Sequence, residues 1–550
     1  MKMKSIKLKI FSTALAAGLL FGCGNEFLDI NDNPNVALTG DLGLLLTSAE
    51  SNIGGEFTTG LGFGGAVYAR QLYGLGTSTY QMDGSTYQGD WNSLYSSSLK
   101  DLAEIRIAAE ESGNDGYVGI SKILSAYVYH HLVDYFGDIP YTEALQGETI
   151  LTPDFDDDAA IYTDLLATLD DAIADLTQAA ADVDIVSGDI MLNGNYTSWI
   201  RVANTLKLKM YLNLGNVDAP TAVAGINAII TDGRYIGTTA QDWQLNFTNS
   251  LTPNGRHPFY NSEYSTSPGY LDNFIMLSMV QRNDPRLRFY FYRQAEYDEL
   301  DFQTTPCSSR TDCDTWTALL ATGTNYIGRD HGDPSGLPGD DNLVTVPGIY
   351  PVGGKYDDSS YRTVNATSSN TLNRGAEGAG LMPLFTSSHT HFMFAEAALR
   401  LGVTTPLSAA AHFEQGMRDS FAKVRAFALS KSSSTANEAS RITAYETAQG
   451  INYTSLVNLY VTNLVSEFGS GTTNDQINLV MQQKNIASWG NGMEPYTDFR
   501  RTGFPNNFPL SLAPTAPFPL RVLYPDSEVS ANPNTPTGMT QGMAIFWDNN

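Results

Sequence analysis

The sequence runs to 550 residues and carries 32 basic against 59 acidic side chains, a net charge of −27. That balance excludes nucleic acid as a partner, because such binding needs Lys and Arg to neutralise phosphates. Anionic membrane surfaces are disfavoured for the same reason, while the acidity favours solubility and leaves the fold open.

The chain opens on Lys2, Lys4, Lys7 and Lys9 with no acid among them, followed by an apolar run from Ile10 to Phe21. A spanning helix needs roughly 20 apolar residues; this run is too short and has no polar face, so it reads as the hydrophobic part of an export signal. Leu20-Phe21-Gly22-Cys23 resembles a bacterial lipobox, which makes residues 1–22 a signal peptide and Cys23 the lipidated residue. Without the leader, 28 basic side chains face 59 acidic ones, a net of −31. Membrane attachment must then come from the lipid. Glu26 and Asp29 follow at once, and an acidic segment there resembles the surface-display signal of Bacteroidetes-type lipoproteins. Residues 23–39 are expected to be a tether, and 40–550 one large domain, since no low-complexity linker divides them.

From residue 40 to 98 the chain is dense in Gly and aromatics without sustained periodicity, and reads as loop. Tyr73, Tyr80, Tyr87, Trp91 and Tyr95 crowd this stretch. Helical spacing then begins. Leu99, Leu102, Ile105 and Ala109 mark a helix over Ser98–Glu111, and a broad apolar stripe marks another over Ile120–Phe136. Within the second, His130 and His131 are adjacent and expected to diverge. Asp156-Asp157-Asp158 opens a third helix, Ala160–Ala181, where acids complement the dipole. Trp199–Leu214 and His391–Leu401 continue the pattern. Paired Ala-rich helices of this length predict a mainly α fold, a tetratricopeptide-like helical-repeat scaffold.

Residues 231–390 return to Gly, Pro, Asn, Asp and aromatics, and are expected to lie as a large irregular loop layer on that scaffold. Tyr260, Tyr264, Tyr270, Trp316 and Tyr326 stand in it. Cys307 and Cys313 flank a short polar segment; a disulfide, two free thiols or half of a metal site would fit, and in an exported chain we take the disulfide. Asp330, Asp333, Asp340 and Asp341 punctuate a loop (DHGDPSGLPGDDN) whose oxygen-rich side chains suit calcium, although the EF-hand order is missing and turn residues give the same composition. His389 and His391 fall on different faces of a helix. Ser430–Thr435 (SKSSST) reads as locally flexible.

Six segments carry a resemblance. They are Phe27–Val36 (FLDINDNPNV), Ala126–Tyr141 (AYVYHHLVDYFGDIPY), Trp199–Tyr211 (WIRVANTLKLKMY), Phe394–Gly402 (FAEAALRLG), Glu494–Pro505 (EPYTDFRRTGFP), and the closing Arg521–Pro525 with Glu528 and Phe546-Trp547-Asp548. In this order they resemble the SusD/RagB family of nutrient-binding outer-membrane lipoproteins, in its branch with an N-terminal Asn-Pro-Asn motif. Locally the motifs read as scaffold. Gly137 and Pro140 end a helix, Asp138 accepts turn hydrogen bonds, Arg500 or Arg501 pairs with a carboxylate or helix-end carbonyls, and Glu396 with Arg400 forms a surface i,i+4 pair.

The resemblance implies a lipid-anchored outer-membrane protein facing the cell exterior. It would bind a nutrient oligomer, most often an oligosaccharide and sometimes a peptide, and deliver it to a TonB-dependent SusC-like transporter. The ligand site would lie in the loop layer. Sugar C–H faces stack on aromatic rings, which makes Tyr73, Tyr80, Tyr87, Tyr264, Tyr270, Trp316 and Tyr326 the candidate contacts. No HExxH, GxSxG or phosphate loop is present, so no enzyme and no required cofactor are expected, calcium aside. A surface hydrolase of the same uptake system is the alternative.

Overall fold

The computed structural model describes residues 41–74, 79–264, 269–296, 307, 310–335, 344–364, 374–431 and 437–549. The signal peptide, Cys23, the tether, Asp340, Asp341 and most of the Ser430–Thr435 segment lie outside the described residues. Gly43–Asn550 forms one compact unit, and no helix among the described residues is long and apolar enough to cross a membrane.

The scaffold is mainly helical. Its helices are α1 (Leu42–Thr58), α2 (Gly60–Tyr68), α3 (Lys100–Ser112), α4 (Asp115–Phe136), α5 (Asp158–Asp182), α6 (Tyr196–Leu214), α7 (Ala219–Asp232), α8 (Ser387–Leu401), α9 (Ala409–Ser430), α10 (Tyr453–Ser470), α11 (Thr473–Ala487) and α12 (Met493–Thr502), with shorter ones between. Capping sets most starts. The Asn114 side chain accepts from Tyr117 N, Asp157 from Ala160 N, Asn195 from Ser198 N and Thr386 from His389 N, each satisfying an amide the helix cannot. These caps place the periodic helices within a few residues of their expected ends. The third helix begins at the expected acidic run, with Asp157 as its cap.

Successive helices pack as antiparallel hairpins, the tetratricopeptide-like arrangement. Helix α8 is the seam between two cores. Its Met393, Phe394 and Ala397 meet Leu208, Leu212, Ile226 and Ile229 of α6 and α7. Its Phe392 and Ala395 meet Phe413, Met417, Val461, Leu464 and Val480 of α9, α10 and α11.

The family-motif residues tie these layers together by charge. Arg501 on α12 bonds Glu396 on α8 through both guanidinium arms and Asp498 at 2.7 Å. Lys484 on α11 reaches Asp498 at 2.8 Å, and Lys209 on α6 reaches Glu494 at 2.5 Å. Arg500 instead donates to Leu520 O at 2.7 Å. Glu396 does pair with Arg400, but the expected surface setting is wrong: Glu396 is fully buried because Arg501 neutralises it from across the helix interface.

Residues 40–98 also depart from expectation, since α1 and α2 occupy much of what reads as loop. Helix α2 (GLGFGGAVY) is poor in local propensity. It forms because Gly65 and Ala66 lie against Gly492 at the start of α12, an approach that any side chain at Gly65 or Gly492 would block. The following Leu94–Leu99 is a π-helical turn leading into α3. Residues 231–390 are largely irregular as expected, but they include the short helices Asn273–Gln281 and Asp314–Ala321 and two antiparallel strand pairs. Strand β1 (Trp243–Asn246) pairs with β4 (Leu381–Phe385), and β2 (Phe291–Tyr292) with β3 (Val346–Pro347).

A buried carboxyl pair gives the fold a pH dependence. Asp189 accepts from the amides of Met191, Leu192 and Gly194 and from Trp199 Nε1. Glu50 of α1 accepts from Ile190 N at 2.7 Å, and burial, then the Asp189 charge, pushes its carboxyl up to about 10. The folded form therefore holds this proton more tightly than the unfolded one. Its contribution is complete below pH 4.5 and is lost as pH rises toward 10. Glu50→Gln, which keeps the neutral shape, should match wild type near pH 5 and exceed it progressively to pH 9 in urea unfolding. Parallel pH curves would reject this assignment.

Candidate ligand site

The loop-layer aromatics do not form one open platform. Tyr73, Tyr80, Tyr87, Tyr264, Trp316 and Tyr326 are buried, and Tyr270 is half-buried. Most are bound into polar staples between loops. The Arg329 guanidinium lies between the rings of Tyr73 and Tyr270, 4.9 and 5.0 Å from their centroids. Tyr73 Oη donates to Asp333 O, Tyr264 Oη to Pro347 O, and Tyr326 Oη to Asp357 Oδ2. Tyr80 Oη meets His331 Nε2 at 3.1 Å. Trp316 packs on the Cys307–Cys313 disulfide, whose sulfurs are 1.99 Å apart, together with Ala295 and Ile327.

The calcium reading is set aside for the two acids the structure describes. Asp333 accepts from Arg329 at 2.9 Å and from Ser335 N and Oγ, so a cation already neutralises it. Asp330 accepts from Asn273 Nδ2 at 2.7 Å. It also lies near the two cysteine sulfurs, but those are oxidised and are not thiolate ligands.

A different set of residues surrounds open space. Thr59, Gly60, Phe63, Gly64, Val67 and Tyr68 of the α1–α2 region, Gly74, Thr79, Gln81, Met82, Thr86 and Tyr87 of the following loop, and Phe259 line a cavity of about 370 Å³. That is within the usual size range of small-ligand sites. Of the seven rings expected to contact ligand, Tyr87 lines it, with its hydroxyl 2.9 Å from that of Tyr68.

Each wall has a local cause. Asp90 accepts from Leu61 N at 2.8 Å and so anchors the first turn of α2. Burial, then the charge of Glu56, pushes its carboxyl up to about 6. Gly60 lets Asp90 in, and Gly64 lets the Tyr87 ring lie against the helix; a Cβ at either would collide. With small residues around it, Phe63 projects from α2 and remains 41% exposed. Phe259, in the short helix Pro258–Glu263 of the loop layer, stands edge-on to it at 6.1 Å. Burial holds the Tyr68 and Tyr87 hydroxyls well above the usual phenol range, so both stay neutral donors.

The result is an apolar slot with Met82, Val67 and two phenylalanines inside, and Thr59, Gln81 and Thr86 exposed at its rim. Phe63 and Phe259 escape a reading by local crowding of Tyr and Trp. The available signal was a lone large ring in a run of glycines.

A larger cavity, about 630 Å³, lies between Trp91, Tyr95, Leu145, Leu151, Pro153 and Asn532. Its Trp91 face is covered by Tyr95 and Phe136, both at 4.8 Å, which leaves little ring to stack on. A third cavity of about 120 Å³ is lined by amide side chains such as Gln281, Gln482 and Asn507 together with Phe274, Ile275 and Pro505.

Comparison with known proteins gives a consistent picture. Residues 46–305 match the family model described as starch-binding, associating with outer membrane, and residues 353–543 match that described as SusD and RagB outer membrane lipoprotein. A SusD homologue from Bacteroides fragilis superposes with TM-score 0.67 at 22% identity, over 92% of this chain and 99% of the other. A chitin-binding SusD homologue from Flavobacterium johnsoniae gives 0.67 at 18%, with the same coverage. A SusD/RagB family protein from Bacteroides thetaiotaomicron gives 0.67 at 19%, again over 92% and 99%. No curated protein matches the chain.

Proposed function

The chain belongs to the SusD/RagB family of outer-membrane lipoproteins, and from that premise we propose that it captures a nutrient oligosaccharide at the cell surface and delivers it to a SusC-like TonB-dependent transporter. Members of the family are binding proteins rather than enzymes, so binding energy is the whole of the mechanism.

The observation that carries the reading is the Phe63–Phe259 slot. Aromatic walls accept the C–H face of a sugar ring, and Thr59, Gln81 and Thr86 at the rim supply hydroxyl and amide partners for its oxygens. The chitin-binding relative supports a glycan over a peptide. Affinity at one slot is modest, and tethering beside a transporter raises the effective concentration of captured ligand. Of the seven aromatics expected from the sequence, Tyr87 is retained as a contact, and the other six position the loops. Calorimetric titration against chito-, malto- and xylo-oligosaccharides and a peptide panel tests this. Saturable binding of one glycan class is expected; binding of peptides alone would overturn the glycan assignment.

The lipid on Cys23 provides the anchor in this scheme, with the acidic residues behind it directing the protein to the exterior. Cys23→Ala should move the protein from the membrane fraction to the soluble fraction, and protease shaving of intact cells should degrade the wild type. Unchanged membrane retention of the variant would contradict the anchor.

A further inference from the structure

Helix α4 is buried almost all the way round, and the two adjacent histidines expected to diverge are both in the core. Their rings lie edge to face, 4.8 Å between centroids. His131 is enclosed by Phe57 and Tyr127, at 5.1 and 4.6 Å, and His130 faces Tyr162 at 5.6 Å. No ring nitrogen of either histidine meets a hydrogen-bond partner, although both residues are fully buried. Four such unsatisfied atoms in one core are costly unless something engages them.

A third group points at the same place. Asp134, one turn after His130, holds its Oδ1 against Tyr162 Oη and, at 3.0 Å, Trp547 Nε1, while Asn213 in turn fixes Tyr162. Its Oδ2 has no hydrogen bond and stands 3.4 Å from His130 Nε2. A carboxylate with one oxygen tied down and the other presented is the usual second-shell arrangement at a metal.

We propose that His130, His131 and Asp134 form a buried structural site for a divalent transition metal of the zinc class. The donor set, two imidazoles and a carboxylate, suits zinc and its neighbours. Two ligand atoms at about 2.0–2.1 Å from a tetrahedral ion stand about 3.4 Å apart, the separation seen between His130 and Asp134. All three ligand atoms lie within 4.8 Å of one another and would fill three of the four positions around a tetrahedral ion. Of the cations that act on Asp134, Lys209 is paired with Glu494 at 2.5 Å and Arg500 donates to Leu520 O at 2.7 Å. None of the cavities described above reaches these residues, so loading accompanies folding. All three ligands stand on α4, so the ion would lock the last turns of that helix, while Asp134 carries its own bonds to Tyr162 on α5 and to Trp547 near the C-terminus.

The test is metal content after the purified full chain is unfolded in chelator and refolded with Zn²⁺ or Co²⁺, then desalted. The proposal predicts about one ion per chain, tetrahedral Co²⁺ absorption bands, and a melting temperature above that of the chelator-refolded protein. His131→Phe, which suits the aromatic surroundings, and Asp134→Asn should each lose the ion while keeping wild-type helical circular dichroism. Less than about 0.1 ion per chain in refolded wild type, with no change in melting temperature, would mean internal water only and would overturn the proposal. Full metal retention in both variants would overturn the ligand assignment.

Discussion

Arg501→Ala should destabilise the fold by about 3–5 kcal/mol, because it strips the main partner from a carboxylate that has no access to water. Glu396 is fully buried on α8 and is bridged by both arms of Arg501. Arg400 alone would remain, from a half-exposed position on Glu396's own helix. Arg501 also holds Asp498, which shares Lys484 with Glu494, so the loss spreads into the charge network that links α6, α8, α11 and α12. Arg501→Lys should recover only part, since an ammonium cannot span both Glu396 oxygens. The network has its own pH signature. Burial raises the Glu396 carboxyl, but Arg501 and Arg400 more than offset this and hold it below its ordinary value of 4.5. Its stabilisation is therefore present above that pH and lost as pH falls below it. Guanidinium unfolding at pH 7 measures the mutational effect; a change under about 1 kcal/mol would show that the network is replaceable.

Phe63→Ala and Phe259→Ala should each weaken glycan binding about tenfold or more, equivalent to about 1.4 kcal/mol, and the double variant should abolish measurable binding. Neither ring is fully buried, although Phe259 packs on the edge of the Tyr260–Tyr264 cluster. Phe63 is 41% exposed and Phe259 half-buried, so unfolding midpoints should change little. That separation of affinity from stability distinguishes the slot from the framework aromatics. Tyr264→Ala or Tyr326→Ala would remove a buried ring and leave Pro347 O or Asp357 without its tyrosine donor, and should disturb the loop layer itself. Unchanged affinity in Phe63→Ala would remove the slot from consideration.

How far the sequence could be read follows from the range of each signal. Helices α3 to α6 and α8 were legible because their apolar spacing, caps and terminators are local. The acidic run before α5 and the Gly137 stop after α4, at φ 79°, are both written within a few residues. Helix α2 was not legible, since its glycines argue against a helix until Gly492, more than 400 residues later, is placed against them. The charge network was half visible. Arg500-Arg501 announces a carboxylate partner, but only the packing of α12 on α8 shows that this partner is Glu396, and why it is buried. The site was the least legible part. Crowded tyrosines mark a layer, but crowding is also how a loop layer packs, and six of the seven rings are buried in that packing. Phe63 and Phe259 come from separate runs with nothing local to join them. His130 and His131 leave the helix in different directions, and only their side-chain rotamers, which spacing does not give, bring the rings to 4.8 Å.

A glycan held in the Phe63–Phe259 slot and left uncleaved is what the proposed function requires. The most direct measurement is calorimetric titration of the purified protein with the best-binding oligosaccharide, the same sample then analysed for shortened products. Saturable binding, an unchanged oligosaccharide, and loss of the signal in the Phe63→Ala/Phe259→Ala double variant are the predicted result. Release of shorter products that stops when a carboxylate is replaced would contradict it, as would wild-type affinity in the double variant.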